Sequence, residues 1–193
     1  MTDKLQQVLR LIDQANAVDP NIETTADRQI AKELLYSQRM SDKLSEFCPE
    51  ASEHLQIAAR AQHIERWTSP RSDYPAGRSG YKKWRSELLL FHAQRAAQLM
   101  AQANYSEDDQ VRVQFLIQKR QMSRDPESQT LEDVVCLVFL EHYINRFAEK
   151  HAPEKLMDII KKTWRKMSPQ AQQAALTIDF RKDIFKLISA AIV

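Results

Sequence analysis

The sequence predicts an all-α fold, a single-domain helical bundle, and three observations support this. The chain of 193 residues contains 2 glycines and 7 prolines, so few positions interrupt a helix. Residues of high helix propensity recur throughout, and apolar residues repeat at helical spacing. No segment shows the alternation of apolar and polar residues that is typical of a half-buried strand.

The composition indicates one soluble domain over residues 1–193. Hydrophobic residues make up 43% and charged residues 28% of the chain, and the net charge is +2. No apolar run approaches the ~18 residues of a membrane span, and the N-terminus does not resemble a secretory signal. Two distant cysteines, Cys48 and Cys136, fit reduced core residues. We therefore expect a cytoplasmic protein that does not associate with membranes.

Three helices are predicted in the first third of the chain. The first spans residues 3–15 and ends at the VDPN turn, residues 18–21. The second begins near Thr24 or Thr25 and continues to Pro49. The third continues toward Trp67. No strand is predicted among them.

The remaining helices are predicted from caps and apolar periodicity. The fourth helix starts around Tyr81, with Asn104 as a left-handed stop, and the fifth covers residues 107–122 after the N-cap Ser106. The sixth is capped by Thr130, and its apolar run 134–140 predicts a central, fully enclosed helix. Pro153 opens the seventh, Ser168 with Pro169 begins another, and residues 180–193 form an amphipathic helix that docks on the bundle.

A basic, aromatic loop between the third and fourth helices is the predicted binding site. Both glycines lie within it, and the segment 58–85 has seven Lys or Arg against two acids, a local balance of +5. Such a surface favours phosphate or carboxylate ligands, although its aromatic rings could instead form a hydrophobic plug. The predicted substrate-binding residues are Arg60, Arg66, Trp67, Arg71, Tyr74, Arg78, Tyr81, Arg85 and Lys119.

Two histidines and two acids suggest a metal site. His63 and His92 flank the loop, and Glu132 and Asp133 are expected in the first turn of the buried helix. Imidazole and carboxylate are ligands of Mn, Fe, Zn or Ni. The alternatives are histidines that are core residues, and an Asp133 that completes a capping box with Thr130.

Several segments together resemble the family catalogued as domain of unknown function 4202. They are QHIERW (62–67), PRSDYPAGRSGYKKWR (70–85), FHA (91–93), QTLEDVVCLVFLEHY (129–143) and KTWRKMS (162–168), so the resemblance covers residues 52–193. The family has no activity to carry over. Its layout of separated His, His and acid is similar to HD-domain metal-dependent phosphohydrolases, but Ala93 stands where the Asp of the defining His-Asp pair would be.

The leading functional hypothesis is an HD-like, metal-dependent hydrolase of a phosphorylated small molecule or nucleotide. In it, His63, His92 and Asp133 hold a divalent cation, and Glu132 orients or deprotonates a metal-bound water. The loop arginines and Lys119 neutralise the phosphate. The alternatives are a non-catalytic nucleotide-binding or RNA-binding module that uses the same loop, and a helical protein-interaction domain.

Overall fold

A computed structural model of the protein describes residues 2–25, 27–122 and 124–191. Within these residues it contains ten α-helices and a two-stranded sheet. In chain order the elements are α1 (Asp3–Ala17), β1 (Ile22–Thr24), β2 (Gln29–Ala31), α2 (Lys32–Phe47), α3 (Glu53–Arg60), α4 (Gly77–Gln102), α5 (Glu107–Ile117), α6 (Pro126–Val138), α7 (Ile144–Ala148), α8 (Pro153–Trp164), α9 (Pro169–Ala175) and α10 (Lys182–Ala191). The all-α prediction is confirmed.

Two hydrophobic clusters form the core, and α6 contributes to both. Val134 and Val138 pack into the cluster built from α1 to α5. Cys136 and Leu137 pack into the cluster built from α7 to α10. The apolar residues of α6 thus face both halves of the bundle, as a central helix requires. The predicted full enclosure is wrong in one respect, because Val135 and Phe139 are only partly buried and line a cavity.

No strand was predicted from the sequence, and this prediction was wrong. β1 and β2 pair antiparallel, with Ile22 opposite Ala31, although each has only three residues. Their pairing depends on tertiary contacts, since Ile30 and Ala31 are buried and Glu23 of β1 binds Arg39 of α2 at 3.1 Å. Consequently α2 begins at Lys32 rather than near Thr24.

Most predicted helix ends are confirmed. Asn104 has φ 59°, Ser106 forms a capping box with Asp109, and Ser168 caps α9 ahead of Pro169. Other predicted bounds are wrong: α3 ends at Arg60 and does not continue toward Trp67, α4 already starts at Gly77, and α5 ends at Ile117. Of the predicted C-terminal helix, Lys182–Ala191 is helical, and residues 192 and 193 lie outside the described part.

The predicted start of the central helix was also wrong. The Asp125 side chain accepts a hydrogen bond from Ser128 N, and Pro126 occupies the first helical position. This combination caps the helix one turn earlier than Thr130 would. The Thr130 hydroxyl instead donates to the carbonyl of Pro126 within α6. Glu132 and Asp133 therefore lie mid-helix and not in the first turn.

One turn of π-helix, Phe139–Tyr143, joins α6 to α7. The inserted residue shifts the helical register, and such turns are frequent at functional sites. Here the turn keeps Phe139 and Tyr143 on the same side as Val135, facing a cavity. None of the described helices is both long and apolar enough to cross a bilayer.

Candidate ligand-binding cavity

The site is a cavity of about 490 Å³ between α2, the segment that follows α3, the start of α4, and helices α6 and α8. One part of its wall is aromatic and the other is charged. The lining residues are Lys32, Glu33, Tyr36, His63, Arg66, Arg85, Lys119, Glu132, Val135, Cys136, Phe139, Tyr143, Phe147, Thr163 and Lys166. The volume falls within the usual ~300–1,000 Å³ of small-molecule sites.

The cavity wall carries a net positive charge. Its five cations are Lys32, Arg66, Arg85, Lys119 and Lys166, and its two carboxylates are Glu33 and Glu132. With both acids ionised and His63 neutral, five minus two leaves +3. A cluster of cations in a partly buried wall attracts anions.

Glu132 is already neutralised by lysines. Its side chain is 3% exposed and forms ion pairs with Lys119 and, at 3.3 Å, with Lys166. Burial opposes ionisation, but the two ammonium groups outweigh it and lower the pKa of Glu132. The carboxylate is therefore ionised and already bound by two lysines. A carboxylate with a lowered pKa is a weak base, so Glu132 does not suit the predicted role of deprotonating water.

Arg66 and Arg85 differ from the lysines. Among the described residues neither guanidinium forms an ion pair with a carboxylate. Arg66 lies over the Trp84 ring, 4.8 Å from its centroid. Burial lowers the pKa of Arg66; the nearby Glu33 carboxylate partly opposes this, and the charge of Arg85 adds to the lowering. An anion bound between the two arginines would relieve both effects.

The backbone that presents Arg66 is held in an unusual conformation. Glu65 has φ 49°, a left-handed value that costs a non-glycine residue free energy. The buried Asn16 accepts a hydrogen bond from Glu65 N at 2.9 Å. Arg95 donates two hydrogen bonds to the Glu65 carboxylate, at 2.8 and 3.0 Å. These contacts compensate the strain and fix the segment between His63 and Arg66.

His63 is a neutral ring in the cavity wall. It stacks on Tyr36 with centroids 4.0 Å apart. Arg66 can only donate, so His63 Nε2, 3.3 Å away, accepts and the ring proton is on Nδ1. Nδ1 lies 3.4 Å from the Glu33 carboxylate. Burial first, and then the charges of Arg66 and Arg85, lower the pKa of His63 well below its usual value.

His92 lies behind His63, with ring centroids 6.0 Å apart. It is 2% exposed, and its Nδ1 bonds to the carbonyl of Ile64 at 2.8 Å. A carbonyl only accepts, so Nδ1 carries the proton. Nε2 is buried and finds no hydrogen-bond partner in the described part of the chain. Burial, followed by the neighbouring His63, lowers the pKa of His92 to about 3.

The predicted metal-ligand set is not assembled. Asp133 accepts hydrogen bonds from Ser168 N at 2.8 Å and from the Gln129 side chain at 3.0 Å. It therefore holds the start of α9, which also corrects the capping box predicted with Thr130. Within the described ranges no group of three His, Cys, Asp or Glu side chains is placed to hold a metal ion. The carboxylate that accompanies the histidines is Glu33, which the sequence analysis did not select.

Most of the predicted loop residues lie outside the cavity. Arg60 forms a two-point ion pair with Asp13, at 2.7 and 2.6 Å. Arg71 donates to the carbonyls of Tyr74 and Pro75, so it closes its own loop. The Tyr74 hydroxyl donates to Glu87 at 2.6 Å. Trp67, Arg78 and Tyr81 do not line the cavity either. Among the predicted substrate-binding residues of the segment 58–85, only Arg66, in the segment that follows α3, and Arg85, which belongs to α4, line the cavity.

The contributions of α2 and α8 to the cavity were not predicted from the sequence. Lys32, Glu33 and Tyr36 lie on one side of α2, and Lys166 follows α8. The spacing of Lys32, Glu33 and Tyr36 is helical. A charged residue next to apolar residues is also typical of the exposed surface of any helix, so the spacing alone does not indicate a cavity. No motif distinguishes them.

The structure is that of an all-α protein with a cavity whose wall is partly cationic and partly aromatic. The chain belongs to the family described as domain of unknown function DUF4202, whose model matches residues 6–188. The match extends the resemblance from residue 52 toward the N-terminus and includes α1 and α2. No curated protein matches the chain, and no solved structure does.

Proposed function

We propose that the cavity binds a phosphorylated small molecule, with a nucleotide as the best-fitting class. The observation that carries this is the pair of guanidiniums, Arg66 and Arg85, which face a cavity of net charge +3 without carboxylate partners among the described residues. Arginine suits a phosphate because its planar fork can donate two parallel hydrogen bonds. Lys119 and Lys166 add charge although Glu132 already engages them.

The aromatic part of the wall suits a neutral ring. Tyr36 and His63 form a stacked, uncharged surface, and Phe139, Tyr143 and Phe147 complete it. A flat heterocycle packs on such faces by stacking. This division into a cationic and an aromatic part favours a phosphate joined to a ring. RNA is the weaker alternative, because the side chains of Arg71 and Tyr74 are engaged within the loop and with α4.

Hydrolysis of the phosphoester is a second candidate, and Glu33 is the observation that favours it. Its side chain is 5% exposed and lies in the cavity wall beside His63. Burial outweighs the nearby cations and raises the pKa of Glu33. A carboxyl group whose pKa is raised suits proton transfer better than Glu132, whose pKa is lowered and whose carboxylate is bound by two lysines.

Thermal melting with and without ligand tests the binding proposal. A ligand that binds only the folded chain raises the melting temperature in proportion to the logarithm of its concentration. We expect this response to adenosine 5′-monophosphate, and a smaller one to inorganic phosphate, at ionic strength held constant with sodium chloride. Adenosine serves as the uncharged control. If neither phosphate compound shifts the melt beyond adenosine, the proposal is wrong; release of phosphate in the same samples tests hydrolysis separately.

A further inference from the structure

A second cavity of about 430 Å³ adjoins the first. Lys32, Tyr143 and Phe147 line both, so the two cavities share a wall. The second is lined by Asn21, Ile22, Glu23, Lys32, Tyr143, Arg146, Phe147 and Lys150. The β1 strand and the end of α7 form it, and neither element belongs to the loop that sequence analysis selected.

The second cavity is also cationic. Lys32, Arg146 and Lys150 face one acid, Glu23, and Glu23 is neutralised by Arg39 at 3.1 Å. Arg146 and Lys150 are four residues apart and both exposed, and neither forms an ion pair with any other described residue. Two like charges at this spacing repel each other slightly, and a shared anion would remove the repulsion.

The wall that the two cavities share is aromatic. Tyr143 and Phe147 line both cavities, and Tyr143 ends the π-helical turn that places it there. Arg39 covers one face of the Tyr143 ring, 5.1 Å from its centroid, and its guanidinium is also the neighbour of the buried Tyr143 hydroxyl. The shared wall therefore offers a surface on which a ring can pack between the two cationic cavities.

We propose that the ligand carries two anionic groups on a neutral body, as a nucleoside bisphosphate does, and that it extends across both cavities. One phosphate binds Arg66 and Arg85, and the second binds Arg146 and Lys150. The ring packs on the wall formed by Tyr143 and Phe147. This inference rests on the proposed function, since it needs the first cavity to bind the first phosphate.

Calorimetric titration of two probes tests it. Adenosine 3′,5′-bisphosphate should bind the wild-type protein at least about tenfold more tightly than adenosine 5′-monophosphate, since a second charge-assisted contact is gained. The double variant Arg146→Ala/Lys150→Ala should remove this difference and leave the monophosphate affinity unchanged. The control, Lys155→Ala/Lys161→Ala, changes the net charge equally at exposed positions that line neither cavity.

Three outcomes overturn the inference. The first is equal affinity of the two probes for wild type while both bind, which leaves the proposed function standing. The second is a loss of bisphosphate affinity in the control double variant as large as in the test variant, which would show a non-specific charge effect. The third is no binding of either probe, which overturns the proposed function as well. All four substituted side chains are exposed, so melting temperatures should confirm intact folding.

Discussion

The guanidinium of Arg66 lies 3.3 Å from Nε2 of His63, and it occupies the direction from which a metal ion would approach that nitrogen. A cation beside a cation is unfavourable in a partly buried wall. The relationship therefore disfavours the metal ion that was predicted from the sequence and supports the proposal that the cavity binds an anion.

The first prediction is that the protein needs no divalent ion for stability. Because Asp133 is engaged by Ser168 and Arg66 faces His63, melting should be unchanged by chelator and by added Mn, Fe, Zn or Ni. Elemental analysis together with melting curves measures this. A stoichiometric metal whose removal lowers the melting temperature would contradict it, and would indicate that Glu33 joins the two histidines.

The second prediction concerns Asp133. Its Oδ1 accepts from both Ser168 N and Gln129, so Asp133→Ala removes the acceptor of two partly buried donors. We expect a loss of about 1–3 kcal/mol in the free energy of unfolding, measured by denaturant titration. Asp133→Asn keeps one acceptor oxygen and should cost less. Both variants should bind phosphate compounds as wild type does; a selective loss of binding would restore Asp133 to the site.

The third prediction concerns pH. The pKa of His92 is lowered from 6.5 to about 3, mainly by burial, and the pKa of His63 is also lowered. As the pH falls, both histidines therefore take up a proton in the unfolded chain before they do so in the folded chain. Their contribution is complete above about pH 6.5 and is lost as pH falls toward 3, at up to about 1.4 kcal/mol per pH unit for each proton.

Denaturant titrations between pH 7 and pH 5 measure this slope. His92→Asn removes one titrating group while keeping a donor near the position of Nδ1. The variant should be less stable than wild type at pH 7, yet lose less stability on acidification. An unchanged slope in the variant would show that His92 takes up its proton equally readily in the folded and the unfolded chain, and would contradict the lowered pKa.

The fourth prediction concerns Gly80. A Cβ added there would lie 1.9 Å from the carbonyl oxygen of Pro75, so the backbone must move. Gly80→Ala should destabilise the fold by about 1–3 kcal/mol, although alanine is the better helix former. Ser79→Ala, at the preceding exposed position of α4, is the control and should change little. Equal melting temperatures for the two variants would contradict the role of the close contact.

Local features of the fold were predictable from the sequence. Ser106, Asn104 and the Ser168–Pro169 pair each act through neighbouring backbone groups, so the nearby sequence suffices to identify them. The start of α6 was misplaced because Asp125 with Pro126 and Thr130 are both acceptable caps one turn apart. Choosing between them needs the tertiary packing.

The site was only partly predictable. Five residues predicted from the sequence do line the cavity: His63, Arg66, Arg85, Lys119 and Glu132. They were grouped with Asp133 and the loop residues only because these are close to them in the sequence. Arg60 and Arg71 belong to the same basic segment of the sequence as Arg66. In the structure, however, Arg60 is paired with Asp13 and Arg71 donates to carbonyl groups of the loop. Which cation lacks a partner depends on contacts between distant residues, which spacing does not encode.

The most direct measurement of the proposed phosphate site is calorimetric titration of adenosine 5′-monophosphate into wild type, Arg85→Ala and Arg78→Ala. Both arginines belong to α4, two turns apart, but only Arg85 lines the cavity. Arg85→Ala should weaken binding by about tenfold or more, as expected for loss of a hydrogen bond between charged groups, and Arg78→Ala should bind as wild type does. Wild-type affinity in Arg85→Ala, or an equal loss in both variants, would contradict the assignment of this cavity as the phosphate site.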